Sequence, residues 1–344
     1  MQYSKLGNSG LLVSRLAFGA MTFGKSEGMF KEISKVDQPL ADQMIGKVLD
    51  AGVNFFNTAD GYTGGQSEIM LGKALGAKRK SAIIATKVGF RTGEALNDHG
   101  LSRHHILDSV EGSLKRLGTD YIDVYLVHRV DRLTPLDETL HALDDVVRQG
   151  KVRYIGLSNW PAWMVAKAGG IQKRLGWTHF RAAEMYYSLV GRDLEHDFVP
   201  MAEDAGIGLM IWSPLAGGFL SGKYSRENPQ GDGGRLNAFD FIPYDKEKGY
   251  AIVDVVKEIA AAHKATPAQV SIAWLLAKKH VTSVLVGANK MAQLEDNLAA
   301  VNVKLTDADV KRLDELSTPG TPYPHWFVER VALDAVAAKA LSGE

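Results

Sequence analysis

The sequence predicts an α/β fold, a (β/α)8 TIM barrel with an N-terminal hairpin and long loops at the C-terminal face of the barrel. Three observations carry that prediction. Short apolar runs alternate with longer amphipathic ones at intervals of roughly 25 to 40 residues, the beat of repeated βαβ units and hence of a parallel sheet. There are eight such units, whereas an open sheet usually stops at about five to seven strands. No composition shift or Pro/Ser-rich linker divides the 344 residues, so 1–344 reads as a single domain.

In chain order the strands fall on Leu16–Gly19, Val53–Asn57, Ser81–Lys87, Tyr121–His128, Val152–Leu157, Arg181–Met185, Gly208–Trp212 and Ser283–Val286. The 3.6-residue pattern places helices on Pro39–Ala51, Ser67–Leu75, Ser102–Leu117, Leu136–Gln149, Ala162–Leu175 and Asp197–Ala205, then on Glu247–His263, Ala268–Lys279 and Met291–Ala300. Ser102 before ILDSVEGSLKRL, with Gly118 just beyond it, is an N-cap paired with a C′ glycine. Thr266-Pro267 is an N-cap with proline at the first helical position. Gly150, Gly176 and Gly206 each close an amphipathic stretch before the next strand. Residues 2–14 form two short runs around Asn8-Ser9-Gly10, a hairpin expected to plug the barrel's closed end. Residues 224–246, polar and glycine-rich with interleaved aromatics, leave the C-terminal end of the seventh strand and are expected to form a substrate lid.

Composition excludes several functions. Forty Lys and Arg balance forty Asp and Glu, so no bulk positive charge favours nucleic acid or an anionic membrane. The absence of cysteine excludes disulfides, thiolate catalysis and Cys-based zinc sites. The opening MQYSKLGNSG has no secretory pattern, and no uncharged apolar run approaches the ~20 residues of a membrane helix. A cytoplasmic protein, monomeric by default, is the expectation. GGFLSGKY nearly matches a phosphate loop, but Tyr224 stands where the magnesium-binding hydroxyl belongs. No GxGxxG follows the first strand, and His104-His105, at the head of a helix, are expected to be solvated.

In a barrel the chemistry sits where strands stop. Here the strands end in FNTADGY, ATK, YLVH, GLSN, AEMYYS, IWSPLAGG and VLVGANK. One His, Lys or Tyr closing an apolar run is more often a packed rim residue than a catalyst; together, at the same ends of successive strands, they mark a site. These segments, with the opening YSKLGNSGLLVSRLAFGAMTFG and with QLEDNL, resemble the aldo-keto reductase superfamily in order and spacing over nearly the whole chain. The resemblance implies NADPH bound in extended form and reduction of aldehydes or ketones, a small-molecule carbonyl substrate, to alcohols. It places the general acid on Tyr62, the lysine on Lys87 and the histidine on His128. A tyrosine near pKa 10 releases its proton reluctantly; an adjacent ammonium favours the phenolate, and a histidine can stabilise a developing alkoxide.

Two positions depart from the family pattern. Asn57 aligns with the aspartate that pairs with the lysine, and an amide brings no charge; Asp60 is a possible substitute, and reduced activity is expected. Glu184 stands where a glutamine usually meets the nicotinamide carboxamide, and a protonated Glu184 would restore a donor there. By the same resemblance the cofactor meets Gly19, Ala20 and Met21 at the first strand, and Asn57. Ser158 and Asn159 would hold the carboxamide, their alternative role being a helix N-cap. Trp212, Ser213, Leu215 and Gly217 would run under the pyrophosphate, Lys223 would be a further cofactor contact, and Gly287, Ala288, Asn289, Lys290, Gln293, Asp296 and Asn297 would lie around the adenosine. Lys290 is the natural partner of a 2′-phosphate. Phe23, Trp160, Trp163, Phe239, Phe241, Trp326 and Phe327 are rim candidates, and Arg129 could meet an acidic or hydroxylated substrate group. The competing reading is a nicotinamide-binding, redox-sensing or channel-associated subunit with little turnover.

Overall fold

Eight strands pair in parallel and close in chain order: β3 (Leu16–Gly19), β4 (Phe55–Asn57), β5 (Ile83–Val88), β6 (Ile122–Val127), β7 (Val152–Ser158), β8 (Phe180–Tyr186), β9 (Gly208–Trp212) and β10 (Val281–Val286), with β10 returning to β3. The computed structural model describes residues 1–26, 31, 33–231, 236, 241–331 and 334–342. The eight expected strands are all present, two of them (Leu16–Gly19 and Gly208–Trp212) with the expected bounds and six with shifted ends. β4 starts at Phe55; just before it, the Asn54 N–H donates to Ser14 Oγ at 3.2 Å, and its side chain accepts from Ser14 N at 2.8 Å and donates to Leu12 O at 3.0 Å.

Helices α1 (Gln38–Asp50), α2 (Gln66–Leu75), α3 (Arg103–Leu117), α4 (Leu136–Arg148), α5 (Ala162–Leu175), α6 (Phe198–Ala205), α7 (Lys246–His263), α8 (Pro267–Ala277) and α9 (Met291–Ala299) follow the expected order. Ser102 Oγ accepts from His105 N, and Gly118 closes α3 in the left-handed region. Thr266 and Gln269 form a reciprocal capping box at α8. A further helix, α10 (Asp307–Ser317), carries the same device on Thr306 and Asp309 and was legible from that spacing. His105 corrects an expectation: only His104 is solvated, while His105 turns inward, is buried and lies 3.3 Å from Ser109 Oγ.

The core is two-layered. A large shell of Leu, Ile, Val, Phe and Trp packs the helices onto the outside of the barrel. A smaller interior cluster holds Ala17, Phe55, Ala85, Val124, Leu126, Ala182, Met210 and Leu285 from the strands, together with Leu6 and Val13. The last two belong to an N-terminal hairpin, β1 (Tyr3–Lys5) with β2 (Leu12–Ser14), which closes the end where strands begin. Asn8 N donates to Gly206 O at 2.6 Å, and Ser283 Oγ to Ser14 O at 2.8 Å. Gly7 allows this approach: at φ +54, an added Cβ would lie 2.5 Å from Gly206 O.

Candidate functional site

Side chains alternate between the two faces of a strand, so a residue two beyond an interior residue also points inward. Counting two from the apolar interior layer gives the mouth of the barrel. Phe55 leads to Asn57, Ala85 to Lys87, Leu126 to His128, Ala182 to Glu184, Met210 to Trp212 and Leu285 to Gly287. A polar ring therefore sits on an apolar floor, and its members come from strands far apart in sequence.

Lys87 is wholly buried at the centre of that ring. Its Nζ donates to Asn57 Oδ1 at 2.7 Å, Thr58 O at 3.0 Å and Tyr62 Oη at 3.1 Å, and lies 3.2 Å from Glu184 Oε1. Asn57 Nδ2 donates to Glu184 Oε2 at 2.6 Å. Burial works against the ammonium, but the Glu184 carboxylate and the Tyr62 phenol hold Lys87 above the ordinary lysine value. Burial of the Tyr62 hydroxyl raises its pKa, Lys87 opposes that rise and Glu184 adds to it; the net direction is up. His128 packs edge-on against Tyr62 with ring centroids 5.6 Å apart. Burial, then the nearby Lys87 and Arg129 charges, hold its imidazole well below the usual histidine range, and its Nδ1 is buried without a hydrogen-bond partner.

Two expectations about the departures are corrected. Asp60 makes no ion pair or side-chain hydrogen bond with Lys87; it lies beyond the end of β4 and outside the inward alternation. Nor does Glu184 have the pattern of a protonated acid, because both its oxygens face donors, one Lys87 and the other Asn57.

The sequence profile of the Aldo/keto reductase family matches residues 15–318. The chain belongs to the aldo-keto reductase family. It is 35% identical to versiconal hemiacetal acetate reductase of Aspergillus parasiticus, over 94% of this chain and 99% of that protein. It is also 35% identical to an uncharacterized oxidoreductase of Bacillus subtilis, over 95% and 99% of the two chains. A rice (Oryza sativa subsp. japonica) protein named probable voltage-gated potassium channel subunit beta is 37% identical over 88% of this chain and 92% of its own. The aldo-keto reductases are oxidoreductases that act on small carbonyl compounds and generally use nicotinamide cofactors.

The other positions expected to meet the cofactor lie at the ends of β3, β7 and β9 or in the segments that follow β3, β7, β9 and β10. Strand register sets Gly19 beside Asn57 and Ser158 beside Glu184. Ala20 O accepts from Ser67 Oγ, and Met21 O from Ser34 Oγ. Ser158 and Asn159 do not cap α5, whose N-cap is Pro161. Instead Ser158 Oγ donates to Glu184 O at 2.7 Å, while Asn159, at φ +58, donates to His128 O and accepts from Trp212 Nε1 at 3.1 Å. After β9, Ser213 (φ 52) accepts from Gly217 N at 3.0 Å, with Leu215 at the start of a short 3-10 turn and Lys223 exposed beyond it. After β10, Gly287 accepts from Asn297 Nδ2, Ala288 is buried, Asn289 N donates to Gln293 Oε1, and exposed Lys290 is the N-cap of α9. Asp296 is turned to α8, accepting from Thr266 and Gln269. Asn289 Oδ1 is buried with no partner in the protein, and His128 Nδ1 likewise; both suit a ligand rich in hydrogen-bonding groups. Among the described residues no cluster could hold a metal ion.

The aromatic rim differs from the expected one. Phe23 and Trp160 are core residues, packed on Phe18 and Phe180. Trp163, Phe241, Trp326 and Phe327 are exposed, and Phe239 lies outside the described residues, as do 232–235, 237, 238 and 240 of the expected lid. The aromatics that flank the mouth are Phe90, 4.4 Å from the His128 ring and capped by Arg129, and the pair Tyr186 and Trp212, 5.1 Å apart on adjacent strands. Phe90 escaped notice because it follows Lys87 by three residues, past the end of its strand; Tyr186 is two beyond Glu184, and parity alone would have found it.

Proposed function

We propose that this chain reduces aldehydes or ketones to alcohols with NADPH, Tyr62 giving the proton. The observation that carries the reading is the contact of a fully buried Lys87 ammonium with the Tyr62 hydroxyl at 3.1 Å. The ammonium favours the phenolate left after proton transfer, offsetting the burial that would otherwise keep the tyrosine inert. His128, held neutral, can donate a hydrogen bond to the carbonyl oxygen and limits where that oxygen can sit. When bound, the reduced nicotinamide supplies the hydride to the carbonyl carbon. Ser158, Asn159 and Glu184 would orient it at β7 and β8, the 213–217 loop would lie under the pyrophosphate, and Asn289 and Lys290 would take the adenosine end. NADPH is favoured over NADH by exposed Lys290 at the start of α9, where cation and helix N-terminus both attract a 2′-phosphate.

Replacing Tyr62 with Phe removes the proton donor and keeps the ring. We expect kcat to fall about 10²- to 10⁴-fold with NADPH affinity within a few-fold of wild type. A Tyr62→Phe protein that keeps its kcat sinks the assignment. The second reading, a nicotinamide-binding channel-associated subunit, draws on the rice relative's name. Repeated turnovers on any simple carbonyl compound exclude a protein that only senses the cofactor.

A further inference from the structure

Lys87 is a cation without access to water, and such a charge needs a counter-charge or it is lost. Among the described residues one carboxylate lies within ion-pair distance of it, Glu184. The two come from strands three apart, β5 and β8, and Glu184 also reaches Asn57 on β4, four strands away and so opposite it in an eight-stranded ring. Asn57 is oriented by its neighbours' chemistry. An ammonium only donates and a carboxylate only accepts, so the amide must turn its oxygen to Lys87 and its nitrogen to Glu184. It thereby joins the negative charge to the positive one through an aligned dipole.

We propose that Glu184 is the positioning carboxylate of this site, holding Lys87 charged and aimed at Tyr62 both directly and through the Asn57 amide. The negative charge of the mouth thus comes from β8, across the barrel, and Asn57 is a bridge and no deficit. Activity then need not be reduced by the amide at position 57. This inference rests on the reductase reading for its catalytic part, but the pairing itself can be measured without turnover.

Two variants test it: Glu184→Gln, and Asn57→Asp combined with Glu184→Gln, which carries the charge back to β4 while keeping one carboxylate and one amide. Glu184→Gln leaves Lys87 facing neutral groups. We expect kcat to fall on the order of 10- to 100-fold and the alkaline limb of the kcat–pH profile to move down by about one pH unit, because losing a negative charge makes the Lys87–Tyr62 pair more acidic. Tm should fall as well. The double variant should recover kcat to within about threefold, restore the alkaline limb and regain most of Tm. The proposal is overturned if Glu184→Gln keeps the wild-type kcat and pH profile, or if the double variant is no better than the single one. Recovery of Tm without kcat would reduce Glu184 to a structural ion pair and also overturns it. If Glu184→Gln does not fold, the double variant decides alone: folded and active supports the proposal, unfolded or inactive overturns it. Should the wild type reduce no carbonyl compound, the reductase reading fails, while the Tm comparison still decides whether Glu184 is the partner of Lys87.

Discussion

Asp60 illustrates how burial sets chemistry one residue at a time. It is buried without a side-chain hydrogen bond, and that burial, then the neighbouring Glu68 carboxylate, pushes its carboxyl up to about 8. An unfolded aspartate titrates near 3.9, so between about pH 4 and 8 the folded chain keeps a proton that the unfolded chain has released. Stability from this group is therefore complete below the unfolded value and is lost as pH rises through the folded one. Asp60→Asn has the shape of the protonated acid and cannot ionise. Its Tm should exceed that of wild type at pH 8, by an amount on the order of a few kcal/mol of stability, with the gap closing towards pH 5. A gap equal at both pH values would show that Asp60 is already charged. His128 follows the same logic with opposite sign: burial costs it a charge, which leaves it neutral beside Tyr62.

At the scale of elements, Asn57, Lys87, His128 and Glu184 each stand two residues beyond the last apolar interior contact of their strand, while Tyr62 comes from the turn that follows β4. That much was readable from the sequence: Asn57, Lys87, His128 and Trp212 end expected strands, Ser158 follows one directly and Glu184 is the next-to-last residue of another. The N-caps Ser102 and Thr266 were equally plain, being local patterns of hydrogen-bonding side chains before apolar periods. What could not be read was the meeting of Glu184 with Lys87, because side chains crossing a barrel mouth obey no sequence spacing. The same limit hid the inward turn of His105 and sent Phe23 and Trp160 into the core, since exposure of an aromatic depends on what packs over it. The start of α9 gives the element's own prediction. Lys290→Ala should raise KM for NADPH about 10- to 100-fold and leave KM for NADH nearly unchanged. Equal effects on both cofactors would place the 2′-phosphate elsewhere.

For the molecule as a whole, the division of labour is between a sealed floor and an open mouth. The hairpin and the interior apolar layer close one end of the barrel, and the next inward layer is polar. Packing on both faces of the strands fixes that second layer, so Tyr62, Lys87, His128 and Glu184 are held before any ligand arrives. Whether this preorganised mouth turns over substrate is decided by following the loss of reduced-nicotinamide absorbance with NADPH, and separately with NADH, against aryl, aliphatic and sugar aldehydes. Many turnovers per protein molecule, with NADPH preferred, are expected on at least one aldehyde class. Saturable NADPH binding, seen by fluorescence quenching, with no turnover on any of them would contradict a reductase role for this site.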